Sequence, residues 1–308
     1  MKLRQLQCLC AVVDAGFNIS RAATVLHATQ PAVAKQLRLL EEELGAELFV
    51  RQSTRPVRLT EAGAHTEVWA RRAMQCTENI RAGVRENQGE SGGSIQLATS
   101  HAHAKYVLLP AIAAFNRRYP KVRIQVLQGQ PHQVAELVHE GKVMLGVTHL
   151  PPELPNDLVA VPFMSSQRVV VAPPGHQVFE EPTLTLESLA RYPIIVQRSV
   201  RPQGARIIQR FRAAGLEVRP AVESLDVDIV KSYAAAGLGV GIIPSFGFVP
   251  ELDQGLRARD AGHLFEGTVS VLLVRRNTLL QKYVYAMLEL VDPGLERRRL
   301  EALIFEPL

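Results

Sequence analysis

The chain has 308 residues, of which 47% are hydrophobic and 21% charged, and its formal net charge is +5. This length accommodates two or three domains, and the apolar content excludes a wholly disordered chain. A basic balance permits binding to a polyanion without proving it. The chain opens without a signal peptide and contains no run of about 18 apolar residues, so we expect a cytoplasmic protein with no membrane partner.

The three cysteines, Cys8, Cys10 and Cys76, show no spacing typical of a zinc site. We expect them to be reduced, small apolar residues, with redox sensing by Cys76 as the alternative. No motif for a metal, a cofactor or a catalytic nucleophile is present. The glycine-rich stretch 237–241 follows a predicted helix and precedes a predicted strand, the reverse of the order in a dinucleotide site. We therefore expect no enzyme activity and no cofactor.

Three helices are predicted over residues 3–45. The first covers residues 3–15 and ends at Gly16. Its inward side chains are expected to be Leu3, Leu6, Cys10 and Val13. Asn18 is a good N-cap for a second, short helix, and Thr29 is a good N-cap for a third. The apolar stripe of the second helix consists of Ile19, Ala22, Ala23 and Leu26.

The third helix has two contrasting faces. One face is apolar and carries Val33, Leu37, Leu40 and Leu44. The opposite face carries Gln30, Pro31, Ala34, Lys35 and Arg38. Glutamine can bond adenine through two contacts, arginine can read guanine, and lysine can meet phosphate, so this face suits a major groove. The alternative is an ordinary helical hairpin with a solvated face.

A short hairpin is predicted next, with strands over residues 48–50 and 57–59 joined by a turn at 53–56. Its cations, Arg51, Arg55 and Arg58, would lie near a flanking phosphate or minor groove. A solvated hairpin is the alternative interpretation.

Thr60 is predicted to cap a long helix that runs to about Glu90. Its partial apolar stripe consists of Val68, Ala73, Met74, Ile80 and Val84. A helix this isolated needs a partner for that stripe. The composition of residues 88–93 is typical of a flexible hinge.

From residue 94 onward, apolar strands alternate with helices. Strands are predicted over residues 94–99, 122–128, 144–149, 168–172, 194–197, 218–222, 240–244 and 268–274. Helices are predicted over residues 104–117, 133–139, 186–191, 205–214, 227–236 and 279–290. This alternation predicts an α/β fold with a largely parallel sheet covered on both faces.

The first sixty residues resemble the winged helix-turn-helix of LysR-type transcriptional regulators. The resemblance is carried by Arg21-Ala22-Ala23, Thr29-Gln30-Pro31-Ala32-Val33, Gln36-Leu37, Leu44-Gly45, Leu48-Phe49 and Leu59-Thr60-Glu61-Ala62-Gly63. It adds Arg21 and Thr29 to the residues expected to contact DNA. Within the family the chain resembles the cysteine-regulon, CysB-like branch. The residues that carry this narrower match include Ala98-Thr99-Ser100-His101, Lys105-Tyr106, Arg118-Tyr119-Pro120 and Asp226-Val227-Asp228-Ile229-Val230-Lys231.

The resemblance implies a DNA-binding domain over residues 1–59 and a linker helix with a hinge over 60–92. It further implies a two-lobed effector-binding domain over 93–308, similar to a periplasmic binding protein. Lobe I would comprise 93–162 and 267–308 and lobe II 163–266, with crossings near Phe163 and Gly267. The implied partners are double-stranded DNA, a small-molecule effector and a second copy of the chain in a dimer or tetramer. RNA polymerase is a further candidate partner.

Ligands in open α/β sheets bind where strands end and helices begin. Polar residues occupy two such places, one in each implied lobe, and His149 ends a third strand. The expected effector-binding residues are Thr99, Ser100, His101, Ala102, His103, His149, Gln197, Arg198, Ser199 and Pro202. For each histidine alone, a capping or surface role is the alternative. The set nevertheless predicts a site for a small anion or carboxylate.

The branch has Thr-Thr-His-Thr-Gln where this chain has Thr99-Ser100-His101-Ala102-His103, and threonines at the positions of His149 and Pro202. The resemblance implies a sulfur-containing effector, whereas the two gained imidazoles predict pH-dependent anion binding. A regulator of an unrelated catabolic pathway is the alternative. A solute-binding protein would explain residues 94–292 but not the first ninety, and an enzyme would need a nucleophile and base.

Overall fold

The computed structural model describes residues 1–52, 55–87, 93–197, 205–218, 220–224 and 226–305. The chain forms two compact units. The first comprises residues 1–93 with two short segments, 139–143 and 279–281, and the second comprises the remainder.

The first unit begins with a helix-turn-helix followed by a hairpin and a long helix. Its elements are α1 (Leu3–Asp14), α2 (Ile19–Val25), α3 (Gln30–Leu44), β1 (Phe49–Gln52), β2 (Arg55–Leu59) and α4 (Glu61–Asn87). The predicted N-caps are confirmed, because Asn18 accepts a hydrogen bond from the Arg21 amide and Thr29 accepts one from the Ala32 amide. Thr60 likewise accepts a hydrogen bond of 2.9 Å from the amide of Gly63.

The core of the first unit lies between α1, α2, α3 and the start of α4. Leu9 and Val12 are fully buried at its centre, although the predicted stripe of α1 omitted both. Leu3 and Leu44 were expected to be buried but are 52% and 43% exposed. Both lie in the terminal turn of their helix, beyond the packed region, so helical period alone overextended the buried face.

Cys8 and Cys10 are both buried in this core, as expected for small apolar residues. Burial raises the pKa of the Cys10 thiol to about 11, so it stays protonated at neutral pH. Cys76 on α4 is exposed. Within the described residues, no single helix is long and apolar enough to cross a membrane; α1 and α2 would suffice only together, and they are bent by 120°.

The second unit contains two five-stranded sheets. The first has the order β4-β3-β5-β12-β6, formed by β3 (Gly93–Thr99), β4 (Val122–Gln128), β5 (Leu145–His149), β6 (Leu158–Ser166) and β12 (Thr268–Arg275). The second has the order β11-β7-β10-β8-β9, formed by β7 (Arg168–Ala172), β8 (Ile194–Gln197), β9 (Pro220–Ser224), β10 (Val240–Pro244) and β11 (Arg257–Asp260). We call the two sheets with their helices lobe I and lobe II.

The expectation of largely parallel sheets was wrong. Strands β3 and β5 are parallel, as are β8 with β9 and β10, but β12 runs antiparallel to both of its neighbours. In lobe II, β7 runs antiparallel to β10 and β11. The sequence prediction also missed β6 and β11. Strand direction depends on where the chain crosses between sheets, which local periodicity does not report.

The chain crosses from lobe I to lobe II at Gln167, between β6 and β7, and returns between Asp260 and Thr268. The two crossing segments lie side by side. A Cβ on Gly267 would sit 2.8 Å from the carbonyl oxygen of Ser166, so only glycine fits this close approach.

Eight α-helices are described in the second unit. They are α5 (His101–His103), α6 (Leu109–Arg118), α7 (Pro131–His139), α8 (Leu186–Leu189), α9 (Ala205–Ala213), α10 (Val227–Ala235), α11 (Lys282–Val291) and α12 (Arg297–Ile304). The single helix predicted over 104–117 is instead α5, a π-helical turn at Ala104–Leu108 and α6. Pro110, in the first turn of α6, cannot donate the backbone hydrogen bond that a continuous α-helix needs. The sequence prediction also missed α12.

Candidate functional site

The polar face of α3 is exposed on a firmly packed helix. Val33, Leu37 and Leu40 are buried at 0–1% exposure and fasten the helix to the core. On the opposite face Gln30, Pro31, Lys35 and Arg38 are exposed and Ala34 is half-buried. Arg21 and Thr29 are exposed beside them. The α3 face therefore presents an amide and two cations on a rigid support.

The hairpin after α3 is tied to the same helix. Arg51 forms an ion pair with Glu41 of α3, and the Glu41 carboxylate also accepts a 3.0 Å hydrogen bond from the Leu48 amide. The guanidinium of Arg51 is therefore engaged within the protein, whereas Arg58 is exposed. The side chain of Arg55 lies outside the described residues.

Ser100 and His103 form a polar bridge across lobe I. Ser100 caps α5, and its hydroxyl lies 2.7 Å from Nδ1 of His103. Nε2 of His103 lies 2.8 Å from the hydroxyl of Ser270 on β12. The side chain is fully buried, and burial, with the neighbouring His149, lowers the pKa of His103 well below its usual value. His103 is thus a neutral internal link, contrary to the expectation that it supplies charge to a ligand.

His149 lies against the His103 ring, with the ring centroids 4.6 Å apart in an edge-on arrangement. Phe246 of lobe II contacts both imidazoles, at centroid distances of 5.1 Å to His103 and 5.9 Å to His149. Burial, followed by the charge of Arg168, lowers the pKa of His149 to about 4. Nδ1 of His149 is buried and has no hydrogen-bond partner among the described residues. The expected charging of this imidazole near neutral pH is therefore not supported.

Other predicted effector residues have different environments. Thr99 and Ala102 are buried, so their side chains offer a ligand no surface. His101 is exposed, and its Nε2 lies 3.1 Å from the carboxylate of Asp228 in lobe II. Gln197 ends β8, and its side chain lies outside the described residues, as do Arg198, Ser199 and Pro202 entirely.

A second polar cluster joins the two lobes, and the sequence prediction missed it. Asp228, in the first turn of α10, accepts hydrogen bonds from Tyr106 and Lys105 of lobe I, the latter at 2.9 Å. Lys231 lies 2.6 Å from the Tyr106 hydroxyl and 2.8 Å from Asp253. We call these five residues the interlobe cluster. The sequence signal was present as Lys105-Tyr106 and Asp228-x-x-Lys231, but nothing local joined the two segments.

Electrostatics within the interlobe cluster are strongly coupled. Burial alone would raise the pKa of Asp228, but hydrogen bonds from Tyr106, Lys105 and His101 outweigh it and hold that pKa well below its usual range. Burial and the Asp228 carboxylate raise the pKa of Tyr106. His101, Asp226 and Asp228 also place metal-ligand-type atoms within 4.8 Å of one another. The ammonium group of Lys105 already balances the charge of Asp228 there.

Two family models match the chain. Residues 3–64 match the bacterial regulatory helix-turn-helix protein of the lysR family, and residues 88–295 match the LysR substrate binding domain.

Full-length relatives extend the match over nearly the whole chain. The HTH-type transcriptional regulator CysB of Burkholderia cenocepacia is 35% identical over 301 residues, covering 98% of this chain and 96% of the relative. The HTH-type transcriptional regulator cbl of Escherichia coli is 31% identical over 308 residues, covering 99% of this chain and 97% of the relative.

Solved structures agree in fold. The cofactor-binding domain of the Cbl transcriptional regulator matches with a TM-score of 0.64 at 29% identity, covering 70% of this chain and 95% of that domain. A full-length OxyR variant from Pseudomonas aeruginosa matches with a TM-score of 0.78 at 17% identity, covering 96% of this chain and 97% of that one. Full-length CbnR, solved in a complex with its target DNA, matches with a TM-score of 0.62 at 22% identity, covering 96% of this chain and 100% of that one.

Proposed function

The chain belongs to the LysR family of DNA-binding transcriptional regulators, and we propose that the exposed face of α3 reads its operator while the cleft of the second unit binds a controlling anion. Gln30 and Arg38 would contact base edges in the major groove, and Lys35 would contact phosphate. The observation that carries this assignment is the exposed amide and two cations opposite a fully buried apolar seam. Arg21, Thr29, Pro31 and Ala34 would complete the contact surface.

The hairpin formed by β1 and β2, which corresponds to the wing of a winged helix-turn-helix, would add phosphate or minor-groove contacts through Arg58 and Arg55. Arg51 has a second role available, because its ion pair with Glu41 fixes the angle between the wing and α3. Contact by Arg51 with DNA would require it to share its guanidinium between Glu41 and a phosphate.

The effector is proposed to be a small anion or carboxylate, drawn from sulfur metabolism. The similarity to CysB and Cbl supports the pathway, and the polar strand end at Ser100, with His149 nearby, supports the position. The ligand would change the relative placement of lobes I and II and so bias the DNA-bound state. A regulator of an unrelated catabolic pathway would share the DNA-reading surface and differ only in this ligand.

We further propose a dimer formed through α4. Its apolar side chains Trp69, Ile80 and Val84 are 55%, 69% and 53% exposed. Trp69 and Ile80 are eleven residues apart, which places them on one face of the helix. Of the predicted stripe, Val68, Ala73 and Met74 are half-buried within the first unit, and Trp69 adds to the exposed apolar surface at Ile80 and Val84.

As a regulator of transcription the protein would act in the cytoplasm, with RNA polymerase as a further partner. A solute-binding protein, the alternative from another class, would have no use for the helix-turn-helix over residues 3–64. Gel-shift and footprinting experiments with genomic fragments test the proposed DNA-reading surface and its control by an anion. Protection of a discrete sequence, altered by a small anion, is expected; failure to select any fragment over random DNA would contradict the proposal.

A further inference from the structure

Arg168 lies at the start of lobe II, next to the segment where the chain crosses from lobe I. It is the first residue of β7, directly after the crossing at Gln167, and it pairs with Pro244 at the end of β10. Alternate residues of a strand share one face of the sheet. Val170 and Ala172, on the same face as Arg168, pack in the core beneath α9. Arg168 therefore lies under the start of α9, at the edge of the sheet where β8 and β10 also end.

The guanidinium of Arg168 lacks the partners that a buried cation normally has. Its Nε atom is fully buried and has no hydrogen-bond partner among the described residues. Among the described residues, no carboxylate forms an ion pair with this guanidinium. Burial, and then the charge of Arg206, lowers the pKa of Arg168 to about 10, so the group is still charged at neutral pH. An unpaired buried charge is unfavourable, and proteins rarely retain one unless a ligand completes it.

The surroundings of Arg168 are polar or positive. Arg206, the second residue of α9, forms a 2.9 Å ion pair with Glu266, whereas Arg168 has no ion pair among the described residues. His149 is close enough for the Arg168 charge to depress the pKa of its imidazole, and its buried Nδ1 also has no partner among the described residues. Phe246, whose ring centroid lies 5.9 Å from that of His149, comes two residues after Pro244, the partner of Arg168 in the sheet. Two side chains with unpartnered nitrogen atoms therefore lie in one neighbourhood and come from different lobes.

We propose that Arg168 receives the negatively charged group of the effector, a carboxylate or sulfate-like oxyanion, while His149 gives it a neutral hydrogen bond from the other lobe. The inference rests on the proposed effector cleft and replaces the charged imidazole expected from the sequence. The planar guanidinium matches two oxygens of such a group at once. Because the guanidinium of Arg168 is already partly desolvated, the anion would gain a strong contact with little further burial of the cation. A ligand held by both side chains would also link the two lobes.

The test uses the full-length protein and small anions as probes. Thermal shift and calorimetric titration would be performed with sulfate, phosphate and acetate, against chloride at matched ionic strength. The variants are Arg168→Met, Arg168→Lys and, as a matched control, Arg206→Gln, which removes an exposed and already paired cation. At least one probe should raise the melting temperature of the unmodified protein in a saturable way. Tighter binding of acetate would indicate a carboxylate ligand, and tighter binding of sulfate or phosphate would indicate a tetrahedral oxyanion.

Arg168→Met should weaken that binding on the order of tenfold or more, because the anion loses a charged, desolvated partner. Arg168→Lys should keep part of the affinity, and Arg206→Gln should keep most of it. Without added anion, Arg168→Met should melt at the same temperature as the unmodified protein or higher, because it removes an unpaired charge. A purely structural arginine would show the opposite, namely a lower melting temperature with unchanged anion affinity.

Two results would overturn the inference. The first is an Arg168→Met variant that binds the probe as tightly as the unmodified protein. The second is an unmodified protein that no probe stabilises beyond chloride. Neither affects the footprint of the protein on DNA, so a failed Arg168 assignment can be distinguished from a failed DNA-binding proposal. If anion binding survives Arg168→Met but is lost in Ser100→Ala, the result supports the proposed effector site near Ser100 and contradicts only the role proposed for Arg168.

Discussion

The face of α3 and the corner around Arg168 are two polar surfaces built in opposite ways. Gln30, Lys35 and Arg38 project from a regular helix into solvent, and an apolar seam on the opposite face holds that helix in place. Arg168 and His149 are half-buried, and contacts from distant segments shift the pKa of each. An exposed recognition face can therefore be identified from helical period, whereas a buried site depends on which segments pack against it.

The largest expected effect concerns the exposed apolar stripe of α4. Replacing Ile80 by Asp would bury a carboxylate in an apolar seam, so we expect the dimer to dissociate. Sedimentation velocity measures the change. Val25→Asp is the matched control, because Val25 is 67% exposed on α2, away from that stripe. An Ile80→Asp protein that is still dimeric would move the dimer interface elsewhere.

The interlobe cluster tests the energetic side of the comparison. Lys231 is only 6% exposed in its side chain and holds Asp253 and Asp228. Lys231→Ala leaves the buried carboxylate of Asp253 without its ion pair, whereas Asp228 keeps its hydrogen bonds from Tyr106 and Lys105. The change should destabilise the second unit by about 3–5 kcal/mol. Arg297→Ala breaks an exposed pair with Glu301 and should cost at most about 0.5 kcal/mol. Calorimetric melting measures both, and equal losses would show that burial of the cluster has no energetic weight.

Substitutions on the exposed face of α3 should weaken DNA binding and leave the stability of the protein nearly unchanged. Arg38→Ala should weaken operator binding by about 1–3 kcal/mol if the side chain reads a base, with little change in melting temperature. Arg117→Ala, an exposed cation of the second unit, is the control and should bind the operator normally. Unchanged affinity in Gln30→Ala, Lys35→Ala and Arg38→Ala alike would remove this helix from the interface.

The smallest expected effect, counted per pH unit, is a pH dependence of stability caused by His149. Its pKa is about 4 in the folded protein and near its usual value when unfolded, so between those values the unfolded chain binds the extra proton. Stability should therefore fall as pH drops from about 6.5 towards 4, by at most about 1.4 kcal/mol per pH unit from this group. His149→Gln should flatten that slope when unfolding is followed across this range. An unchanged slope would mean that the imidazole is solvated and titrates normally.

Local sequence predicted much of the first unit and most of the strands and helices of the second, although it missed β6, β11 and α12. The caps at Asn18, Thr29 and Thr60 were confirmed because an N-cap depends only on a side chain and the next three residues. The surroundings of the predicted effector residues could not be read from local sequence. Thr99, Ala102 and His103 are buried, and His101 turns to Asp228, because their surroundings come from β12 and α10, far away in sequence.

The amino-acid sequence by itself determined the helix-turn-helix, the polar face of α3 and the alternation of strands and helices, since each depends on periodicity within a few turns or one strand. Tertiary structure alone decided the strand directions, the joining of Tyr106 to Asp228 and Lys231, and the neutral state of His103 and His149. It also placed Arg168 where a half-buried positive charge has no ion pair with any carboxylate of the described residues. Charge state and ligand selectivity arise from desolvation and from neighbours contributed by remote segments, and neither is encoded in local residue spacing.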